Sequence, residues 1–345
     1  MTLMQQEINS QPDVLEGLID KSLPKVDALC DEIIERDIKL VYIAARGTSD
    51  HAAVYSKYIL ETYTGIPVAF AAPSIITVYD ADINLKDALV VGISQSGKAE
   101  DVLSVVKHAN SQGALTVCLT NYDDSPMAKE GKYHFSCMAG EEKSVAATKT
   151  FTAQMMIMAL LVSRLSGRDD LLERLRMIPT RIRQFLNNCK IDTGLIEKLR
   201  DMNECFVLAR GKNYAIALEG ALKIQETCYV RAKAYATSDF YHGPLALLDE
   251  KIPVFLIAPL SRTSHDTREI LKRISDYGIK TIAVTNDGEI EKMASDVIRI
   301  PDGIRGIDSP FVTAVAMQQF ACMLSLAKGL DPDNPRNIKK VTITK

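Results

Sequence analysis

Short apolar runs alternate with amphipathic stretches along most of this chain, and that alternation limits its possible folds more than any other feature. Four such runs occur in the first third of the sequence: LVYIAA (40–45), PVAF (67–70), ALVVGIS (88–94) and ALTVCLT (114–120). After the third run, Val102, Val105 and Val106 fall at helical spacing, and Gly113 is a plausible helix stop. Strands that are apolar on both faces and are separated by helices predict an open parallel sheet covered on both sides.

The same order of elements returns about 165 residues later. The tripeptide ARG at 45–47 recurs at 209–211, and the strand-ending LTN at 119–121 recurs as VTN at 284–286. A long helix containing Met and Leu closes each half, at 151–165 and at 311–326. Because order and spacing are both kept, we expect an internal duplication that gives two tandem doubly wound, flavodoxin-like α/β domains.

The predicted organisation has two domains and three connecting segments. At about 150 residues per domain, the length of 345 residues allows two domains. The stretch between the halves is highly charged, has helical periodicity and lacks any strand signal, so it is predicted to be a helical linker. The expected boundaries are an N-terminal helical segment at 1–35, domains at 36–165 and 203–330, the linker at 166–202 and a tail at 331–345.

Composition excludes several classes of protein. With 47% hydrophobic and 25% charged residues the chain is an ordinary globular one, and its net charge of −3 gives no reason to expect nucleic-acid or membrane-surface binding. The polar, acidic N-terminus is not a signal peptide, and the longest apolar run, 155–162, is too short to span a membrane. The seven cysteines form no C-x-x-C pair. We therefore expect a cytoplasmic protein without a metal site or a disulfide framework.

Two hydroxyl-rich turns follow predicted strands and precede predicted helices. They are Arg46-Gly47-Thr48-Ser49 and Ser94-Gln95-Ser96-Gly97. Such turns offer backbone amides, a helix dipole and hydroxyl donors to a phosphate, although Ser and Gly also simply cap helices. The stretch 92–99 reads G-x-x-x-x-G-K-A, but it lacks the Ser or Thr that would hold Mg²⁺ in a nucleotide-binding loop. Phosphate binding and simple capping stay open at this point, and ATP or GTP binding is not expected.

Titratable groups with catalytic potential are concentrated in the second half. Glu219, Lys223 and Glu226 fall at i, i+4 and i+7 of an otherwise apolar predicted helix, so they share one face. His242 lies in the turn sequence YHGP and could carry a proton at ambient pH. A solvated charged stripe and a surface histidine are the alternative interpretations.

Six motifs together resemble a known family. In order along the chain from about Gln6 to the C-terminus they are RGTS, SQSG, EEKSVAATKTFTAQ, ALEGALKIQE, YHGPLALLD and DPDNPRN. This combination resembles the sugar isomerase (SIS) domain family, in particular the paired domains that form the isomerase half of glucosamine-6-phosphate synthase.

The resemblance implies a role for each matching residue. The sugar phosphate would be held by Thr48, Ser49, Ser94, Gln95 and Ser96, and the sugar would be lined by Val145, Ala147 and Lys223. Glu226 would move a proton between C1 and C2, and Lys340 would close over the substrate. His242 would assist ring opening, often from a neighbouring subunit, which implies a homodimer with shared active sites. The family chemistry needs neither a metal nor an organic cofactor.

Three residues depart from the family pattern, and the start of the chain bears on the expected activity. Ala99 and Ala147 stand where the family usually has Thr and Ser, and Asp239 replaces a Glu before the HGP turn, which puts the identity of the sugar in doubt. The chain starts just after the position of the synthase's glutaminase domain, so glutamine-dependent synthesis is not expected.

The function predicted from these features is an isomerising deaminase that converts glucosamine 6-phosphate to fructose 6-phosphate and ammonia. Two alternatives are kept. One is a fructosamine-6-phosphate deglycase, for which Ala99 and Ala147 would leave extra room. The other is a non-catalytic sugar-phosphate sensor, although Met1 to Asp20 is too short and too acidic for a DNA-binding helix-turn-helix.

Overall fold

The fold is described from a computed structural model for residues 1–340, and the strand-like VTITK ending of the tail lies outside the described residues. The chain divides into two compact units. The N-terminal unit contains Asp13–Glu142, Lys149–Arg176 and the segment from Ile338, and the C-terminal unit contains Met1–Pro12, Lys143–Thr148 and Met177–Asn337. Residues 1–12 and 143–148 belong to the C-terminal unit because they make their contacts with residues of the second half. The domain boundaries expected from the sequence stay a prediction.

The N-terminal unit is built on a parallel sheet with the order β2-β1-β3-β4-β5. Its strands are β1 (Leu40–Ala45), β2 (Val68–Phe70), β3 (Ala88–Ile93), β4 (Leu115–Thr120) and β5 (Tyr133–Ser136). The helices met along the chain up to the start of the second half are α1 (Leu3–Glu35), α2 (Thr48–Thr64), α3 (Ser74–Thr77), α4 (Glu100–Ser111), α5 (Pro126–Glu130), α6 (Lys149–Leu165), α7 (Asp169–Asn188) and α8 (Thr193–Lys198).

Burial explains why these segments form a covered sheet. Every residue of β3 and β4 is buried, as expected for strands with helices on both faces. Val102, Val105 and Val106 of α4 pack into the core cluster on one face of this sheet. Gly113 follows α4 with a φ of 76°, a left-handed conformation that glycine adopts without steric cost.

The C-terminal unit repeats this architecture. Its parallel sheet has the order β10-β9-β8-β6-β7. The strands are β6 (Glu204–Ala209), β7 (Arg231–Ala236), β8 (Val254–Ile257), β9 (Thr281–Thr285) and β10 (Asp296–Arg299), and the helices are α9 (Tyr214–Cys228), α10 (Thr237–Phe240), α11 (Ser264–Asp276), α12 (Gly288–Met293) and α13 (Ser309–Ala327). Short 3₁₀ turns lie at Gly211–Asn213 and Pro244–Leu247.

The two sheets have the same topology when each is read in chain order. In both, the first strand pairs with the second on one side and with the third on the other, which gives the order 2-1-3-4-5. This is the flavodoxin-like order. The prediction of two tandem doubly wound domains is therefore confirmed.

Helix α13 is a mostly buried helix of the C-terminal unit. Its segment Ser309–Ala327 has the length and apolar composition of a membrane span, but 78% of that window is buried in the protein. It packs against α9. Gly220 of α9 permits this approach, because a Cβ there would lie 2.9 Å from Cε of Met317. We therefore describe α13 as a core helix of this unit.

Candidate active site

The two hydroxyl-rich turns lie side by side at one edge of the N-terminal sheet. β1 and β3 are parallel neighbours, and Ala45 is paired with Ile93, so Arg46 and Ser94 leave the sheet at the same level. The chain reverses its strand order between β1 and β3, and ligands of open α/β sheets bind outside the carboxyl ends of the strands at such a point. The structure thus brings together the five residues that the resemblance assigns to phosphate.

The first turn places its hydroxyls at a helix N-terminus. Thr48 and Ser49 are the first two residues of α2, and Ser49 is buried. Gly47 precedes them with a φ of 55°, and the Ser49 amide donates to the Arg46 carbonyl at 3.1 Å. Amides in the first turn of a helix point toward an approaching anion. These first-turn amides and hydroxyls could bind an anionic group, and phosphate binding at this turn stays a prediction.

The second turn is held in shape by its own side chains. The Oγ of Ser94 accepts a hydrogen bond from the Gly97 amide at 3.2 Å, and the Oγ of Ser96 accepts one from the Lys98 amide at 3.3 Å. Gly97 has a φ of 64°, and a Cβ there would lie 2.2 Å from Ser125 Oγ, so no other residue fits. Gly92 is a buried residue inside β3. The spacing that imitates a nucleotide-binding loop therefore begins within a strand.

Arg46 and Asp101 form an ion pair at these turns that the sequence did not indicate. Arg46 Nε donates to Asp101 Oδ2 at 2.7 Å. The Asp101 side chain is 3% exposed and that of Arg46 is 51% exposed. Ala99, where the family usually has Thr, occupies the N-cap position of α4 and makes no side-chain capping bond. The N-terminal end of α4 therefore carries a buried carboxylate paired with Arg46, and it lacks a capping bond from the side chain at position 99.

In the C-terminal unit, Glu219, Lys223 and Glu226 meet on one face of α9, as predicted. Lys223 Nζ lies 2.5 Å from Glu226 Oε2 and 3.4 Å from Glu219 Oε1. The side chains of Lys223 and Glu219 are buried, whereas that of Glu226 is 21% exposed. The arrangement is a buried ion-pair cluster in which one carboxylate reaches the surface, and not a solvated charged stripe.

The cluster keeps its lysine charged. Burial by itself would lower the pKa of Lys223, but the charges of Glu219 and Glu226 and their hydrogen bonds outweigh burial and raise that pKa above its usual value. Lys223 is therefore an ammonium group at neutral pH. It orients the Glu226 carboxylate, which is the group of the three that a ligand can reach.

The loop Lys143–Thr148 carries Val145 and Ala147, and both are half-buried. The amides of Lys143 and Ser144 donate to Glu7 Oε1, at 2.5 and 3.4 Å. The Val145 amide donates to the Asp333 carbonyl at 3.3 Å. These contacts, all within the C-terminal unit, hold the loop between the first helix and the segment that follows α13.

Asp333 also caps that first helix. Its carboxylate accepts hydrogen bonds from the amides of Leu3 at 2.8 Å and Met4 at 2.7 Å, the first residues of α1. The DPDNPRN motif therefore has a structural role, because Asp333 fixes both a helix end and the loop of Val145. Sequence reasoning missed Glu7 and Asp333, since their partners lie more than a hundred residues away.

His242 and Lys340 have different surroundings. His242 is exposed in the turn before Gly243, and its amide donates to the Asp239 carbonyl at 3.0 Å. Lys340 Nζ donates to Glu142 Oε2 at 2.7 Å. Glu142 is buried and also accepts from the Thr150 amide at 3.1 Å and from Thr150 Oγ1 at 2.9 Å. Glu142, which the sequence did not single out, thus anchors the tail in the N-terminal unit, and substrate closure by Lys340 stays a prediction.

Other reactive groups offer weaker candidates. Burial raises the pKa of Cys118 to about 12, so this thiol is not a nucleophile at neutral pH. Within residues 1–340, ligand atoms of His265, Asp266 and Glu269 on α11 lie within 4.8 Å of one another, and all three residues are exposed. An exposed cluster of this kind is common without a metal, and we assign it no role.

Comparison with known proteins places the chain in a family. The model of the SIS domain matches residues 36–164 and 198–328. The chain is 35% identical over 346 residues to a glutamine–fructose-6-phosphate aminotransferase (isomerizing) of Aquifex aeolicus, and this match covers 99% of the chain and 57% of the relative. The chain thus spans little more than half the length of that relative.

Solved structures agree with this match. A putative phosphosugar isomerase from Silicibacter pomeroyi has a TM-score of 0.87 and 30% identity, covering 96% of this chain and all of that one. The C-terminal domain of the glucosamine-fructose-6-phosphate aminotransferase from Francisella tularensis has a TM-score of 0.88 and 29% identity, covering 97% of this chain and 98% of that one. The chain therefore belongs to the SIS domain family, carries two SIS domains in tandem, and is homologous to the C-terminal domain of that aminotransferase.

Proposed function

We propose that this protein is a phosphosugar-converting enzyme that deaminates glucosamine 6-phosphate to fructose 6-phosphate and ammonia. The observation that carries the proposal is the Glu226 carboxylate, which is partly exposed and is held by the buried ammonium of Lys223 at 2.5 Å. An oriented carboxylate is the group that a C2-to-C1 proton transfer requires. Relatives whose names include isomerase activity on fructose 6-phosphate support the choice of substrate class.

The reaction needs three steps, and the atoms balance with one water. The ring of glucosamine 6-phosphate opens to the aldehyde, and His242 is assigned to this proton movement. Glu226 takes the proton from C2 and delivers it to C1, while the amine nitrogen loses one proton and O1 gains one, which converts the aldehyde and its amine into a fructose imine. Water then adds to the imine carbon, and ammonia leaves. No external oxidant or amino donor is needed.

Phosphate recognition is assigned to the turns at 46–49 and 94–97. Their amides, helix termini and hydroxyls suit a phosphate group, and binding energy at a group remote from the reacting carbons can orient the substrate. Loss of the phosphate from the substrate should therefore lower kcat as well as raise KM. The family chemistry that we infer uses no metal and no organic cofactor.

A substrate panel tests the proposal. Glucosamine 6-phosphate, unphosphorylated glucosamine and the fructose 6-phosphate adduct of an amino acid would be assayed for release of ammonia or amino acid. We expect ammonia and fructose 6-phosphate in equal amounts from the first compound. In Glu226→Gln, kcat should fall by about 10²- to 10⁴-fold, because the proton carrier is lost.

A matched variant separates chemistry from general damage. Glu204→Gln alters a half-exposed carboxylate of the same unit that pairs with Arg231, and it should keep full activity. Release of amino acid from the fructosamine adduct, without turnover of glucosamine 6-phosphate, would make the protein a deglycase. Binding of sugar phosphates without any turnover would make it a sensor. Full activity in Glu226→Gln would refute the proposed proton transfer by Glu226.

Assembly and location belong to the same proposal. We infer a cytoplasmic homodimer in which His242 serves the neighbouring subunit, because the family resemblance implies shared sites. Two inactive variants, Glu226→Gln and His242→Ala, would regain activity when mixed and refolded together if this is correct. A mass of one chain by light scattering, together with no such regain, would contradict it.

A further inference from the structure

Arg46 is a charged group at the phosphate turns to which neither the motifs nor the family resemblance gives a role. It follows β1 directly, beside Ser94, since Ala45 and Ile93 are register partners. Its carbonyl accepts the Ser49 amide at 3.1 Å, and its Nε donates to Asp101 at 2.7 Å. Arg46 therefore connects the first turn to the helix that follows the second turn.

Asp101 creates an electrostatic problem for an anion at this place. Its carboxylate is 3% exposed and lies in the first turn of α4, where Oδ1 accepts the Val102 amide at 2.9 Å. A phosphate at the adjoining turn would meet this poorly screened negative charge, and like charges at short range disfavour binding. The hydroxyls of Thr48, Ser94 and Ser96 are neutral and cannot cancel it. A fixed positive charge can.

The guanidinium of Arg46 has N–H donors besides the one bonded to Asp101, and these can bind a second anion. It carries five N–H groups in a planar fork, and the bond to Asp101 uses the one on Nε. The Arg46 side chain is 51% exposed, so its remaining donors are accessible to a ligand at the turns. Arginine is well suited to share its fork between a carboxylate and a phosphate oxygen.

The internal duplication contains a counterpart with different properties. Arg210 follows β6 as Arg46 follows β1, and its Nε lies 3.4 Å from Oδ2 of Asp266 on α11. Asp266 is 52% exposed, so its charge is screened by water and needs no fixed counter-ion. The pair thus recurs in both units, but of the two arginines only Arg46 faces a buried carboxylate.

We propose that Arg46 is a phosphate-binding residue that cancels the charge of Asp101 and donates to the ligand, so that the site selects dianionic phosphate esters. The chemical identity of the ligand rests on the function proposed above. The role of Arg46 itself rests on the ion pair and on its place between the turns. Two consequences follow: removing Arg46 should weaken phosphate binding, and neutralising Asp101 as well should restore part of it.

Sorbitol 6-phosphate, which has no carbonyl group and cannot react, is the probe. Its dissociation constant would be measured by calorimetry for the unaltered protein, Arg46→Ala, Arg46→Ala with Asp101→Asn, and Arg210→Ala. We expect Arg46→Ala to weaken binding by about 10- to 100-fold, the range for a lost charge-assisted hydrogen bond. The double variant should recover at least a few-fold of that loss, and Arg210→Ala should bind normally.

The outcomes separate the inference from the proposed function. If the unaltered protein binds the probe and Arg46→Ala binds it equally well, the role of Arg46 is overturned while the proposed function stands. If the double variant binds no better than Arg46→Ala, Arg46 does not act by cancelling Asp101, and the proposal is likewise overturned. If the unaltered protein does not bind the probe at all, both the phosphate site and the role of Arg46 fail. A weaker affinity in Arg46→Ala with recovery in the double variant supports the proposal if Arg46→Ala keeps the unfolding midpoint of the unaltered protein. Recovery that only accompanies a regained fold would overturn it, because Asp101→Asn also removes a buried unpaired charge.

Discussion

Replacing Lys223 with methionine should destabilise the protein far more than the loss of an ordinary ion pair. The substitution keeps the length of the side chain but removes the ammonium that lies 3.4 Å from the buried carboxylate of Glu219. At that separation and an effective dielectric constant of about 20, the Coulomb attraction is about 5 kcal/mol. Desolvation of the ammonium offsets part of this attraction. We expect Lys223→Met to lower the free energy of unfolding by about 3–5 kcal/mol, the usual cost of leaving a buried charge unpaired.

Guanidinium unfolding at pH 7.5, followed by circular dichroism, measures this effect. Lys198→Met is the matched control, because Lys198 is a helical lysine with one carboxylate partner, Asp296 at 2.8 Å, but its side chain is 61% exposed. Its loss should leave the free energy of unfolding nearly unchanged, because water screens an exposed ion pair.

Equal effects of the two substitutions would refute the electrostatic reasoning. The triple variant Lys223→Met, Glu219→Gln, Glu226→Gln gives a further check. It should recover much of the deficit, since it leaves no buried charge without a partner.

Three further predictions concern the N-terminal unit. Ala99→Ser should raise the free energy of unfolding by about 0.5–1 kcal/mol in urea, because it supplies the missing N-cap bond of α4; no gain, or a loss, would contradict this. Glu142→Gln should lower the free energy of unfolding by about 1–3 kcal/mol, because the Thr150 amide and the Lys340 ammonium lose a charged acceptor. The control Glu141→Gln, at an exposed side chain, should leave that free energy unchanged. Burial lowers the pKa of His134, whose Nε2 lies 2.8 Å from Thr120 Oγ1. The neutral imidazole therefore contributes to the stability of the folded state above about pH 6.5, and this contribution is lost as the pH falls through the lowered pKa. Urea midpoints between pH 7.5 and 5 should therefore decline less steeply in His134→Gln, and parallel curves would be evidence against the assignment.

The sequence predicted the fold well because the information is local. Each central strand is a continuous apolar run, and each is fully or almost fully buried in its sheet. The edge strand Tyr133–Ser136 was not predicted, because it pairs on one side with β4, is only partly buried and lacks an apolar run. The packing of residues 1–12 and 143–148 with the second half was not predicted, because these contacts join segments that are remote in sequence.

Within the candidate site, likewise, some residues could be recognised from local sequence patterns and others could not. The hydroxyl turns and the stripe of Glu219, Lys223 and Glu226 could be recognised because their members are neighbours in the chain. Glu142 and Lys340 are separated by 198 positions, and Asp333 lies 330 positions from the Leu3 amide that it caps. No local pattern indicates which distant carboxylate a lysine or a helix end will meet. Such contacts decide where Lys340 and the loop of Val145 lie.

The central claim is that Glu226 moves the proton between C2 and C1 of an amino-sugar phosphate. The most direct measurement follows glucosamine 6-phosphate that carries deuterium at C2, with rates and product isotopes recorded by NMR. We predict a slower reaction than with the protiated compound, fructose 6-phosphate that carries a measurable part of the deuterium at C1, and a conversion by Glu226→Gln that is about 10²- to 10⁴-fold slower. An equal rate for the deuterated and protiated compounds together with no deuterium at C1, or equal conversion by Glu226→Gln, would contradict the account.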